Sequence, residues 1–224
     1  MRTVLAAGAA LAVTATAGAA PKDPVVTVGP PVVRLVPGTS APVTVAVDFG
    51  TCMDETLIEV EAAEGHGYDY VSSGERIDGR ATASFAFDGI ETRGRWTVAV
   101  SGSVCGTSAP VRREAAASFE IKRDTRITGF GVRARGTGAE VAGRLTRLDP
   151  WANRYVPYGG ARVQIESRPD GTKPWTVRDT AVTARNGGFA VRVPGAADGA
   201  WRAVFPGTRH HADATGGADR VAAR

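Results

Sequence analysis

Apolar side chains recur every second residue in run after run of this chain, and nowhere is the 3.6-residue spacing of a helix sustained. In the first half Val43, Val45 and Val47 alternate with polar or small residues, as do Ile58 and Val60, Phe85 and Phe87, and Trp96, Val98 and Val100. In the second half Val163 and Ile165, then Phe189, Val191 and Val193, then Trp201, Ala203 and Phe205 do the same. A period of two sends alternate side chains to opposite faces of a strand, so each run marks one face for burial. Turn signals separate the runs at Pro37-Gly38, Asp78-Gly79, Asp170-Gly171 and Asn186-Gly187. With 28 Gly, 13 Pro and 43% hydrophobic residues, the 224-residue chain is punctuated for short strands and still has the apolar content for a core. The expected fold class is all-β.

Two stretches repeat. Gly38-Thr39-Ser40-Ala41-Pro42-Val43 is echoed by Gly136-Thr137-Gly138-Ala139-Glu140-Val141. Phe85-Ala86-Phe87 is followed by Trp96, as Phe189-Ala190-Val191 is followed by Trp201. The offsets of 98, 104 and 105 residues are each the length of one β-sandwich. A division near Asp124 gives a first sandwich over 21–122 and a second over 123–224.

Residues 1–20, MRTVLAAGAALAVTATAGAA, place Arg2 before an uncharged run and end on small residues, the layout of a secretory signal peptide. The run is short and rich in Ala and Gly, so no stable membrane span is expected. No cysteine stands at the junction to carry a lipid, and the terminal ADRVAAR holds no apolar tail. The two cysteines, Cys52 and Cys105, fit export to an oxidising space, and a disulfide between them is favoured over two buried thiols.

The second half, from about Thr125 to Val221, resembles the immunoglobulin-like or fibronectin-type modules of exported proteins from Streptomyces-like actinobacteria. The resemblance rests on TRITGF at 125–130, Ala142-Gly143-Arg144-Leu145, and Tyr158-Gly159-Gly160 before VQIESRPDG. Asn186-Gly187-Gly188-Phe189, the Trp201–Phe205 run and His210 complete it. The first half resembles the same class more loosely. The resemblance implies two tandem immunoglobulin-like β-sandwich domains used for binding, adhesion or spacing. It contains no catalytic residues to transfer.

Only three histidines are present, and no GxSxG, HExxH, P-loop or GxGxxG motif occurs. No catalytic residues and no cofactor are expected, and enzymes with such motifs are excluded. His210, His211 and Asp213 are the best metal candidates, although adjacent residues of an extended segment point apart. The acidic run of Asp54, Glu55, Glu59 and Glu61 lacks a calcium-loop pattern and reads as a polar strand face.

Charge divides unevenly. Residues 21–122 hold 9 basic and 14 acidic residues, a net −5, whereas 123–224 hold 17 and 9, a net +8. Alternation places Arg133, Arg135, Arg144, Arg162, Arg192 and Arg202 outward, as a face suited to anionic polymers. A solvated face, or attraction between oppositely charged domains, accounts for the same pattern. The segment 148–160 carries Trp151, Tyr155 and Tyr158, which either stack on a ligand or fold back over the core.

The expected function is therefore that of a secreted, non-catalytic binding, adhesion or structural protein at the cell exterior. Its expected partner is an anionic cell-wall polymer or another exported protein, not a specific nucleic acid. The rival readings are a small secreted enzyme with a site between the domains and an inhibitor or ligand carrier using the aromatic loop. The oligomeric state is left open.

Overall fold

The computed structural model describes residues 23–107, 112–169, 172–195 and 198–221. Residues 1–20, expected from the sequence to be a signal peptide, lie outside them. The described residues form strands in two successive β-sandwiches, and the alternating apolar residues are the ones that fill the cores.

In the first sandwich, β1 (Val25–Gly29), β3 (Ala41–Asp48) and β6 (Arg80–Phe87) form a three-stranded antiparallel sheet in the order β1-β3-β6. It packs on a five-stranded sheet ordered β2-β8-β7-β4-β5. That sheet contains β2 (Val32–Leu35), β4 (Met53–Ala62), β5 (Tyr68–Ser73), β7 (Gly94–Val104) and β8 (Arg112–Arg123). β2 and β8 pair in parallel, in register from Val32↔Glu120 to Leu35↔Arg123. Val43, Val45, Phe85, Val60, Val98 and Trp96 meet between the sheets, each at most 2% exposed. The Trp96 ring packs edge-on against Phe87 and stacks with Phe119, while its Nε1–H donates to Thr92 O at 2.8 Å. Gly67 lies against this ring, and a Cβ there would stand 2.5 Å from it. That close approach requires glycine.

The second sandwich is built likewise. β10 (Gly138–Asp149) pairs along one side with β9 (Thr125–Arg135) and along the other with β14 (Gly188–Val193) and β11 (Arg154–Pro157). The facing sheet runs β13-β12-β15-β16, with β17 also on β15. Its strands are β12 (Arg162–Arg168), β13 (Thr176–Val182), β15 (Gly199–Phe205), β16 (Ala214–Thr215) and β17 (Asp219–Val221). Val141, Leu145, Val163, Ile165, Trp201 and Phe205 fill the space between the sheets. The repeated strands pair in both halves, β3 with β6 and β10 with β14, but in registers that differ by two residues: Val43 stands opposite Phe85, whereas Val141 stands opposite Val191 and Phe189 opposite Gly143.

Cys52 immediately precedes β4 and Cys105 immediately follows β7, and the two are joined by a disulfide with Cα atoms 5.5 Å apart. The Cys105 N–H donates to Cys52 O at 3.1 Å, so the backbone pairing of β4 and β7 brings the thiols together. Among the described residues no helix is long and apolar enough to cross a membrane.

Candidate binding surfaces around the interdomain joint

One residue, Asp124, separates β8 from β9, so the sandwiches follow each other without a spacer. Its N–H donates to Leu35 O at 2.9 Å, and its carbonyl accepts the Leu148 N–H at 2.9 Å. The Asp124 carboxylate is buried and faces Arg34 and Arg126, each with Nε at 3.5 Å, and it accepts the Tyr155 hydroxyl. Arg126 also lies 4.1 Å over the Tyr155 ring. Burial and the bond to Asp124 push the Tyr155 phenol up to about 12. Two further ion pairs cross the joint, Arg34–Asp213 and Arg209–Glu64, both at 2.7 Å. Each sandwich supplies one acid and one base, so local pairing rather than the overall charge difference joins these surfaces.

The three aromatics of the 148–160 segment part company. Tyr155 turns to Asp124, and Tyr158 folds inward, packing edge-on against Phe205 at 5.5 Å. Trp151 does neither and is 91% exposed. It sits at the tip of the β10–β11 hairpin, where Asp149 Oδ1 accepts the N–H groups of Trp151 and Ala152 at 3.0 and 2.9 Å. Pro150 and the positive φ of 46° at Asn153 complete the turn. Asn153 Oδ1 accepts the Gly38 N–H at 2.9 Å and so fastens the tip to the first sandwich. Trp151 is thus held by its turn, not by burial of its ring. It borders an open groove across the joint with Pro150, Ile90, Asp88, Ser40 and Asn153, in which Ile90 is 63% exposed.

The six outward arginines do not form one face. Arg133, Arg135, Arg144 and Arg192 are exposed on the sheet of β9, β10 and β14. Glu140 stands among them, in register with both Arg133 and Arg192 and 3.5 Å from Arg135. Arg162 belongs to the opposite sheet, on β12. Arg202 is half-buried on β15, donates from Nε to Glu166 at 2.6 Å, and lies 4.3 Å over the Trp175 ring. Arg168 packs over the same ring at 4.4 Å. The expected basic face is therefore a patch of four arginines and one glutamate.

His210, His211 and Asp213 do not converge on a common point. Asp213 is held by Arg34, and His211 is buried with Nδ1 facing the Tyr158 hydroxyl and Thr208 Oγ1, both at 3.4 Å. No group of three or more His, Cys, Asp or Glu suited to a metal occurs among the described residues. Burial, with Arg147, Arg93 and Arg123 nearby, lowers the His211 pKa from 6.5 to about 4. The unfolded chain therefore takes up a proton at this residue near pH 6.5 while the native chain resists until near pH 4. We expect native stability to fall as pH is lowered through that window, and His211→Gln to flatten the dependence. Unfolding midpoints measured from pH 7 to 4 check this; parallel curves for the two proteins would refute it.

No protein-family model and no curated protein matches the chain. Among solved structures it is similar to a tetra-tandem repeat in the extending region of a large adhesion protein, with a TM-score of 0.32 and 13% identity over 87% of this chain and 48% of that one. It is also similar to the full three-domain ectodomain of mouse nectin-like molecule 4, with a TM-score of 0.25 and 14% identity over 87% of this chain and 62% of that one. The chain thus spans about half of the first and under two thirds of the second.

Proposed function

We propose that the protein is a secreted, non-catalytic binding module that attaches to anionic polysaccharide at the cell exterior. The observation that carries this reading is Trp151, held 91% exposed by a hydrogen-bonded turn at the edge of a groove between two sandwiches. An exposed indole costs the protein a favourable burial and offers a flat face on which a sugar ring stacks. Asp88, Ser40 and Asn153 flank it with the polar groups that orient hydroxyls. The strand that leads into the hairpin, β10, belongs to the sheet carrying Arg133, Arg135, Arg144 and Arg192, which supplies the attraction for an acidic polymer. The disulfide supports an oxidising destination.

Trp151→Ala is expected to weaken retention on immobilised acidic cell-wall polysaccharide at least about tenfold, with stability changed by under about 0.5 kcal/mol. Raising salt above physiological strength weakens the wild-type interaction through screening. Affinity electrophoresis in polymer-containing gels reads both effects. Retention that ignores Trp151→Ala would sink the reading. If no polysaccharide is retained while a purified exported protein binds through Trp151, the module recognises protein instead.

A further inference from the structure

The outer faces of the two sandwiches carry opposite charge. On the five-stranded sheet of the first, Glu55, Leu57, Glu59 and Glu61 of β4 share the solvent side, and β5 sets Tyr70 beside Glu59 and Tyr68 beside Glu61. The two tyrosine rings lie 5.9 Å apart, are 57% and 55% exposed, and the Tyr68 hydroxyl donates to Glu59 Oε1 at 2.7 Å. On the other flank Ala99 and then Ala116 follow Glu59 across the sheet. These small side chains leave two shallow depressions, of about 620 and 370 Å³, that meet at Ser101. Among the described residues no base forms an ion pair with Glu55, Glu59 or Glu61.

The complementary charge lies on the sheet of β9, β10 and β14. Along β10, Glu140 stands between Arg133 and Arg192, Ala142 between Gly131 and Ala190, and Arg144 between Thr128 and Gly188. A lane of Gly131, Ala142 and Ala190 thus crosses the sheet between two rows that bear arginine. Arg133, Arg144 and Arg192 are exposed and form no ion pair among the described residues. The spacings of the two faces agree. Arg144 lies four strand positions from the Arg133–Arg192 row, about 14 Å, and Glu55 lies the same distance from Glu59. Half-buried Leu57 stands between those acids as Ala142 stands between the arginine rows, so acids laid over arginines seat Leu57 in the lane. The chain already contains one such contact complete: Tyr155 donates to Asp124, while Arg126 covers the ring at 4.1 Å and faces the carboxylate at 3.5 Å. Tyr68 and Glu59 repeat that arrangement without its arginine.

We infer that the acidic face of β4 and β5 docks a second copy of this chain, through the arginine sheet of that copy's second sandwich. Each copy carries one face of each sign, so the contact is heterologous and adds copies head to tail. Two sheet faces make an interface at the small end of the specific range, and its charge makes the association weak and sensitive to salt. The inference does not rest on Trp151. It draws on the arginines that attract acidic polymer, so polymer and second copy compete for them, while Glu59 and Glu61 serve self-association alone.

Sedimentation velocity of the purified full chain at low salt should give a mean sedimentation coefficient that climbs with concentration and falls back as salt is added. Glu59→Gln with Glu61→Gln should weaken association at least about tenfold and keep retention on acidic polysaccharide. Arg133→Gln with Arg192→Gln should weaken association as much. Mixed together, the two variants should recover a one-to-one pair that grows no further, because each brings the face the other lacks. Arg162→Gln, on the opposite sheet, should assemble as the wild type does. A wild-type chain still monomeric at about 1 mM overturns the inference. So does normal assembly by either double variant, or a mixture that stays monomeric. A monomeric chain that binds a polyarginine peptide through Glu59 and Glu61 would give the face to a foreign basic partner and overturn self-assembly.

Discussion

Leu148→Ala is expected to destabilise the first sandwich by about 3 kcal/mol, although residue 148 lies in a strand of the second. Leu148 is 1% exposed and packs with the core cluster of Val33, Leu35 and Phe85, whereas Leu145 on the same strand packs in the other core. Three residues apart on a strand, they point to opposite faces, and β10 serves both domains. Truncating Leu148 leaves a cavity bounded by strands from both sides. Amide hydrogen exchange distinguishes the outcomes: amides of β3, β6 and β7 should exchange about a hundredfold faster, with those of β12 and β15 little changed. Acceleration confined to β10 and β14 would show that Leu148 serves only its own domain.

Removing the disulfide with Cys52→Ser and Cys105→Ser together is expected to cost the first sandwich about 4 kcal/mol. The bond spans a sequence separation of 53 residues, and the loss is the chain entropy that the unfolded loop regains. The loop contains β4, β5, β6 and β7, so the strands either side of Trp96 are affected together. Urea unfolding followed by exchange in each domain should show the first sandwich unfolding earlier and the second, which has no cysteine, unchanged. A loss under about 1 kcal/mol would show that the reduced loop keeps its structure when unfolded, because the entropic gain requires a flexible chain.

The cores were readable because burial follows parity. Val43, Val45 and Val47, or Trp201, Ala203 and Phe205, need only their neighbours to announce which way they face. The cysteine pair was readable from the count alone, two cysteines in a chain expected to reach an oxidising space. What escaped depends on which strand lies alongside. Arg202 has outward parity, but its neighbour across β12 is Glu166, and that register turns an apparent binding residue into an ion pair. Tyr155 and Tyr158 differ by three positions and so part to Asp124 and Phe205. The joint was least legible of all. Arg93, Arg123, Arg147 and His211 are separated by long stretches of chain, and only the union of the sandwiches at Asp124 assembles them.

The parallel pairing of β2 with β8 also decides how the first sandwich answers a pull on its ends. The chain enters that domain through β1 and β2 and leaves it at Arg123, the last residue of β8. Because the two strands run the same way, tension drags Val32 backward and Arg123 forward along a common axis. Their ladder is then loaded in shear, with its hydrogen bonds strained together instead of being opened one after another. Val33 and Leu35, each 1% exposed, must be dragged out of the core as the strands slide. Force transmitted along the chain therefore meets its stiffest resistance at four residues of β2, before it reaches the loop closed by Cys52 and Cys105.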